Sequence, residues 1–223
     1  MPTTFALSWD GTGERLFEAG VDRGVLYPQN SDGTYAAGVA WNGLTGVTES
    51  PEGAEPNDLY ADNIKYATLR SAETFGATIE AYTFPAEFYD CDGTAQAYTG
   101  VYVGQQTRKS FGFCYRTMIG SDTHSDISAG YKLHIIYNAT ASPSERSYET
   151  INDSPDAITL SWEVSTTPVP VTGYKPTATI VIDSTKADPD DLATLEATLY
   201  GTAGTNGTSP TLPTPDQVLA MFA

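Results

Sequence analysis

Three runs in this chain alternate apolar and polar residues with a period of two, and no other feature constrains the fold as much. Ile158-Thr159-Leu160-Ser161-Trp162-Glu163-Val164 puts Ile158, Leu160, Trp162 and Val164 on one face and polar groups on the other. Tyr131 to Tyr137 does nearly the same, and Thr177 to Ile182 continues the pattern. A period of two belongs to a strand with one buried and one wetter face, as in a sandwich or an open antiparallel sheet. Turn signals separate the runs: Asp92-Gly93, Ser142-Pro143-Ser144, Asn152-Asp153-Ser154-Pro155 and Thr172-Gly173. The 14 Tyr, 20 Gly and 14 Pro fit this reading, since aromatics suit pleated surfaces and Gly and Pro supply turns.

Phe75 to Phe84 is a less regular strand, with Ile79 and Ala81 on one face and Thr78, Glu80 and Tyr82 on the other. The polar face is too wet for a core sheet. Thr99 to Gln106 and Lys109 to Thr117 are expected to pair with this strand or with each other. The helix signal comes late: Asp188 as N-cap, Pro189 at the first position, acids in the first turn, then Leu192, Leu195 and Leu199 ahead of Gly201. Thr214-Pro215-Asp216-Gln217 reads as a capping box before a short apolar turn that must dock somewhere. The expected architecture is mainly β: one domain over 1–223, with an antiparallel β-sandwich or barrel over about 1–200. One α-helix near 189–200 flanks it, long assembly loops project from it, and 201–223 forms a C-terminal extension.

The net charge of -17 sets the surface chemistry. Nucleic-acid binders neutralise phosphates with Lys and Arg, so this surface repels a phosphate backbone rather than gripping it, and anionic membranes likewise. No apolar stretch approaches the roughly 20 residues of a membrane helix. No basic-then-apolar leader is visible, so the chain is expected to fold in the cytoplasm of the cell that makes it. Between Arg23 and Lys65 there is no Lys or Arg, while Glu49, Glu52, Glu55, Asp58 and Asp62 fall there. Asn42 to Asn63 therefore reads as an acidic loop with little structure of its own, and long loops of that kind are commonly functional.

No catalytic, cofactor-binding or metal residue is assigned. Asp122, His124 and Asp126 alternate in a polar loop, but too few oxygen, thiolate or imidazole ligands gather there for calcium or structural zinc. Cys114 with His134 has the composition of a nucleophile and base, yet both lie in strand-like runs where a buried thiol is common. Cys91 and Cys114 are expected to be reduced and buried. With 28 acids, some carboxylate pair at glycosidase spacing is guaranteed and carries no information. Tyr82, Tyr89, Tyr98 and Tyr102 offer a second class of function, a carbohydrate-binding platform on a β-sandwich, since their rings are flat and tolerate a partly wet interface.

Several strand sequences together resemble the major tail proteins of long-tailed bacteriophages, the tail tube subunits. They are Leu59 to Tyr66, Ala77 to Phe88, Gly112 to Thr117, Tyr131 to Ala139 and Asp156 to Pro168, and the likeness runs from about Leu26 to Leu212. The resemblance implies a β-sandwich with a flanking helix, assembled as hexameric rings stacked into a hollow tube. With about four strands per subunit, six subunits give roughly 24 strands at about 4.8 Å spacing. At a tilt near 40° the backbone diameter is roughly 45–50 Å. The implied partners are further copies of the chain, a tape-measure protein, a tail terminator and distal tail or baseplate proteins. DNA would pass without specific binding, no membrane insertion is implied, and the site of action is the virion. On this reading Glu80 is the lumen-lining candidate, and Glu49, Glu52, Glu55, Asp58 and Asp62, with the N-terminal segment through Phe17, are the inter-ring contact candidates.

Overall fold

The computed structural model describes residues 7, 9–53, 55–123, 127, 129–148, 150 and 156–223. In chain order the strands begin with β1 (Leu16–Pro28), β2 (Val39–Trp41), β3 (Leu44–Glu49), β4 (Glu52–Gly53), β5 (Pro56–Ala61), β6 (Ile64–Arg70), β7 (Glu73–Thr74) and β8 (Gly76–Ala81). They continue with β9 (Ala95–Tyr98), β10 (Val101–Val103), β11 (Phe111–Ser121), β12 (Gly130–Ala141), β13 (Leu160–Thr166) and β14 (Thr179–Asp183). Two helices close the chain, α1 (Pro189–Tyr200) and α2 (Pro215–Met221). The mainly β architecture with a flanking helix agrees with the sequence, and the second short helix adds to it.

An eight-stranded antiparallel sheet runs β2-β1-β11-β12-β13-β8-β3, with β14 also paired to β12. It curls on itself until β3 lies alongside β1, where Gly24 leaves room for Leu44: a Cβ there would sit 3.2 Å from Leu44 Cδ2. Inside the curl Trp162, Trp41, Phe88, Phe111, Phe113 and Ile79 form one core. Trp162 meets Trp41, Phe84 and Phe88 edge-on at 5.2–5.5 Å, an arrangement the ring quadrupoles favour. Cys91 and Cys114 are free and buried.

A second core lies on the opposite face of β1, β11 and β12. There Val25, Tyr27, Cys114, Leu133 and Ile135 meet Leu192, Leu195 and Leu199 of α1 and Val218 of α2. The helix starts where the sequence places it: the Asp188 carboxylate accepts from Asp190 N at 2.9 Å, with Pro189 next. The Thr214–Gln217 capping box forms in both directions, and the apolar C-terminal turn docks on its own protomer. This helix layer explains why β11 and β12 are buried on both faces although they alternate. A sandwich alone leaves one face wet.

β12 changes partner along its length. Lys132 to Ile136 pair with β14, and Ala139 to Ala141 pair with β13. Between them Asn138 adopts φ 48°, a conformation Asn tolerates better than most residues. Its amide donates to Tyr35 Oη at 2.9 Å and its side chain to the Thr167 carbonyl at 3.3 Å, so the fork is satisfied.

Two expectations are corrected. The segment Asn42 to Asn63 is not a loop with little structure: β3, β4 and β5 occupy most of it and return as β6, β7 and β8. Nor does Phe75 to Phe84 pair with the two segments that follow it. β8 lies between β13 and β3, β10 pairs with β9, and β11 lies between β1 and β12. Among the alternating residues of the opening run, Trp162 and Val164 are buried, Leu160 half-buried, and Ile158 exposed ahead of β13.

Candidate functional site

The corrected segment is a β-ribbon arm that leaves the sandwich. β4 pairs with β7 and β5 with β6, ending in the turn Asp62-Asn63. Both turn residues have positive φ, 51° and 63°, the backbone of the tight hairpin turn whose twist matches its strands. Residues directly opposite each other share a face. Asn57 with Leu69, Leu59 with Ala67 and Ala61 with Ile64 therefore line one face, and Pro56 with Arg70, Asp58 with Thr68 and Tyr60 with Lys65 the other. A bulge at Tyr66 keeps the faces in step.

The second face is held by Asp58, whose carboxylate takes Lys65 Nζ at 2.8 Å and Thr68 Oγ1 at 2.7 Å; those bonds hold its acid below the usual range. The first face has no cover among the described residues: Leu59, Ile64 and Leu69 are 40%, 64% and 55% exposed. Tyr60 and Tyr66 are more exposed still. A two-stranded ribbon is marginal in water by itself.

The five acids assigned to the acidic segment divide. Glu52, Glu55 and Asp62 are exposed along the arm and its tip, and Asp58 braces the ribbon. Glu49 lies at the root and points inward, since it shares its face with Val47 and pairs with Ala77. Its carboxylate accepts from Tyr115 Oη at 2.6 Å and from His134 Nδ1 at 3.1 Å. His134 stacks on Tyr115 at 4.6 Å, and its Nε2 lies 3.1 Å from Thr117 Oγ1. The Thr117 hydroxyl in turn donates to Glu18 Oε2 of β1 at 3.3 Å. The His134 bond first, and then that of Tyr115, hold the Glu49 carboxyl below its ordinary range against the cost of burial. Sequence reading missed this bracket, although the step from Val47 to Glu49 was a usable signal for an inward acid.

Glu80 is exposed on the outward face of β8. Its register neighbours are Gly46 on β3 and Ser161 on β13, and next to them lie Thr48, Thr78 and Glu163. No Lys or Arg stands among these residues, and the helix layer covers β1, β11 and β12 on the far side of the core.

Strand edges are open as well. β2 covers β1 only from Gly24 to Leu26, so Leu16 to Asp22 has β11 as its sole partner strand among the described residues. On the same count β3 is paired to β8 alone and β14 to β12 alone. Such edges invite pairing with another chain.

The remaining candidates separate in space. Cys114 faces the helix layer beside Tyr27, while His134 faces the other way beside Tyr115, so they cannot act as nucleophile and base. Burial pushes both thiols up to about 12, which keeps them protonated at neutral pH. His124 and Asp126 lie outside the described residues, and Asp122 is engaged by Gly13 N at 2.9 Å. Among the described residues no cluster of three or more His, Cys, Asp or Glu could hold a metal, and no helix is long and apolar enough to cross a membrane. Tyr89 and Tyr102 stack on one another at 4.2 Å, each spending a ring face on the other, while Tyr82 and Tyr98 are exposed. No family model matches the chain, and no curated protein matches it.

Proposed function

We propose that this chain is the tail tube subunit of a long bacteriophage tail, a structural protein that assembles into stacked hexameric rings and conducts DNA to the host. The observation that carries the reading is the arm: a structured ribbon leaves the core and exposes Leu59, Ile64 and Leu69, with nothing among the described residues to cover them. Among the described residues the edge of β14 and the start of β1 from Leu16 have one partner strand each, which supports lateral joining of copies by strand addition. Open edges disappear when a sheet closes into a barrel, and a closed ring does that for all copies at once.

The outward face of β3, β8 and β13 supports the channel. It carries Glu80 and Glu163 among Thr, Ser and Gly, without a cation among these register neighbours. Carboxylates within about a Debye length of 8–10 Å repel DNA phosphates, so duplex slides past such a wall. The arm and the segment through Phe17 make the ring-to-ring contacts. The tube grows around a tape-measure protein in the host cytoplasm, is bounded by a terminator and distal tail proteins, and functions in the virion. No catalysis and no cofactor enter this role.

Electron microscopy of the purified chain tests the reading. Rings or tubes with a central channel are the expected result. Monodisperse monomers that bind glycans would replace it with a carbohydrate-binding module, for which the exposed Tyr82 and Tyr98 are the available rings.

A further inference from the structure

The chain has 11 Lys and Arg for 28 Asp and Glu, and nearly every cation is used internally. Arg15, Lys65, Lys109, Arg116, Lys132, Arg146 and Lys186 each form an ion pair with a carboxylate. Arg23 lies over the Tyr200 ring at 5.6 Å, and Arg108 donates to the Ala141 carbonyl at 3.4 Å. Arg70 and Lys175 remain. Among the described residues neither has an ion pair, a hydrogen bond or a ring partner. Both line one groove of about 740 Å³ at the root of the arm, walled by Phe75, Pro168 and Pro176, with Glu73 as its one acid.

We propose that this groove receives the tip of the arm of a second copy of the chain. Charge selects the occupant. Glu52, Glu55 and Asp62 on the arm form no ion pair among the described residues, and Asp62 stands at the tip between the exposed Tyr60 and Ile64. The groove offers the complement, two free cations beside apolar walls, in a protein whose surface otherwise repels acids. Its volume suits a few side chains rather than a whole ribbon, so the tip is the part that enters.

Tip and groove are different surfaces, so the contact is head-to-tail, and it propagates along a stack when the rotation between copies does not close it. At about 3.3 Å per residue the arm from Glu49 to Asp62 offsets successive copies by up to roughly 40 Å. This inference rests on the tube reading for the polymer it builds and supplies the receptor surface that the reading lacks.

Two full-length variants test it. Arg70→Glu with Lys175→Glu should raise the concentration needed for stacking at least tenfold while leaving rings intact in sedimentation and electron microscopy. Adding Glu52→Lys, Glu55→Lys and Asp62→Lys to the same chain should restore stacking. Separately, Asp62→Cys copies mixed with Lys175→Cys copies should form a disulfide-linked species on mild oxidation, a readout that survives if a charge variant misfolds. Wild-type rings and tubes with no cross-link, or a charge-reversed chain that stacks like the wild type, would overturn the groove and leave the tube reading standing. A wild-type chain that makes neither rings nor tubes and gives no cross-link would overturn both.

Discussion

Glu49 Oε1 lies 3.1 Å from His134 Nδ1, and the two residues are 85 positions apart in the chain. This contact ties the arm root to the central strand β12, with Tyr115 bonded to the same carboxylate oxygen and stacked on the histidine. The arm therefore leaves the sandwich from a braced point.

That bracket is sensitive to acid. The folded chain holds Glu49 below its ordinary range, so the unfolded chain binds the proton more readily. The stabilisation is complete above the ordinary carboxylate range and is lost as pH falls through the depressed folded value. Thermal melts taken downward from about pH 6 should fall less steeply for Glu49→Gln than for the wild type. Equal slopes would mean that the bracket contributes nothing. Glu49→Ala should cost about 1–2 kcal/mol at neutral pH, because it strips a partner from the buried His134.

The Asp62-Asn63 turn sets the arm's order. Replacing Asn63, at φ 63°, with Gly should leave the arm as ordered or more so, since Gly reaches that conformation without strain. A β-branched residue there should cost about 1–3 kcal/mol locally. Amide exchange across β5 and β6 should accelerate in Asn63→Val while the β11 and β12 amides stay protected. Uniform acceleration would show that the arm is coupled to the core rather than hinged on it.

Trp162 is fully buried between Trp41, Phe84 and Phe88. Trp162→Ala should destabilise by about 3–5 kcal/mol through lost burial and the cavity left behind. Trp162→Phe should cost less. Denaturant midpoints with unchanged slopes are the check.

Glu80→Lys with Glu163→Lys should leave assembly intact and change what the channel does. Tubes of the double variant should retain short duplex DNA at low salt and release it as salt rises, whereas wild-type tubes retain none. Variant tubes that ignore DNA at low salt would place these residues away from the channel.

Much of the fold was legible locally. Trp162 and Val164 alternate with Glu163, and Asp188 and Thr214 cap their helices as read, because strand period and helix caps are written within a few residues. The arm was not legible as strand. Period-two reading depends on contrast between a buried and a wet face, and both faces of the arm meet solvent in the protomer, so its acids looked like loop. The site residues divide on the same ground. Glu80 could be placed on a wet strand face from Ile79 and Ala81 beside it, whereas Glu49 looked like its four acidic neighbours until the register of β3 on β8 turned it inward.

Local pattern and composition specify a β-rich chain with one capped helix near 189–200, a capping box at Thr214–Gln217 and an acidic surface short of cations. That Glu49 meets His134, that Asn138 forks the sheet, and that Arg70 and Lys175 share one groove follows from the folded arrangement alone. Each of these joins residues from segments far apart in the chain. Their meeting depends on strand register and on how the sheet curls, and no short window of sequence contains either.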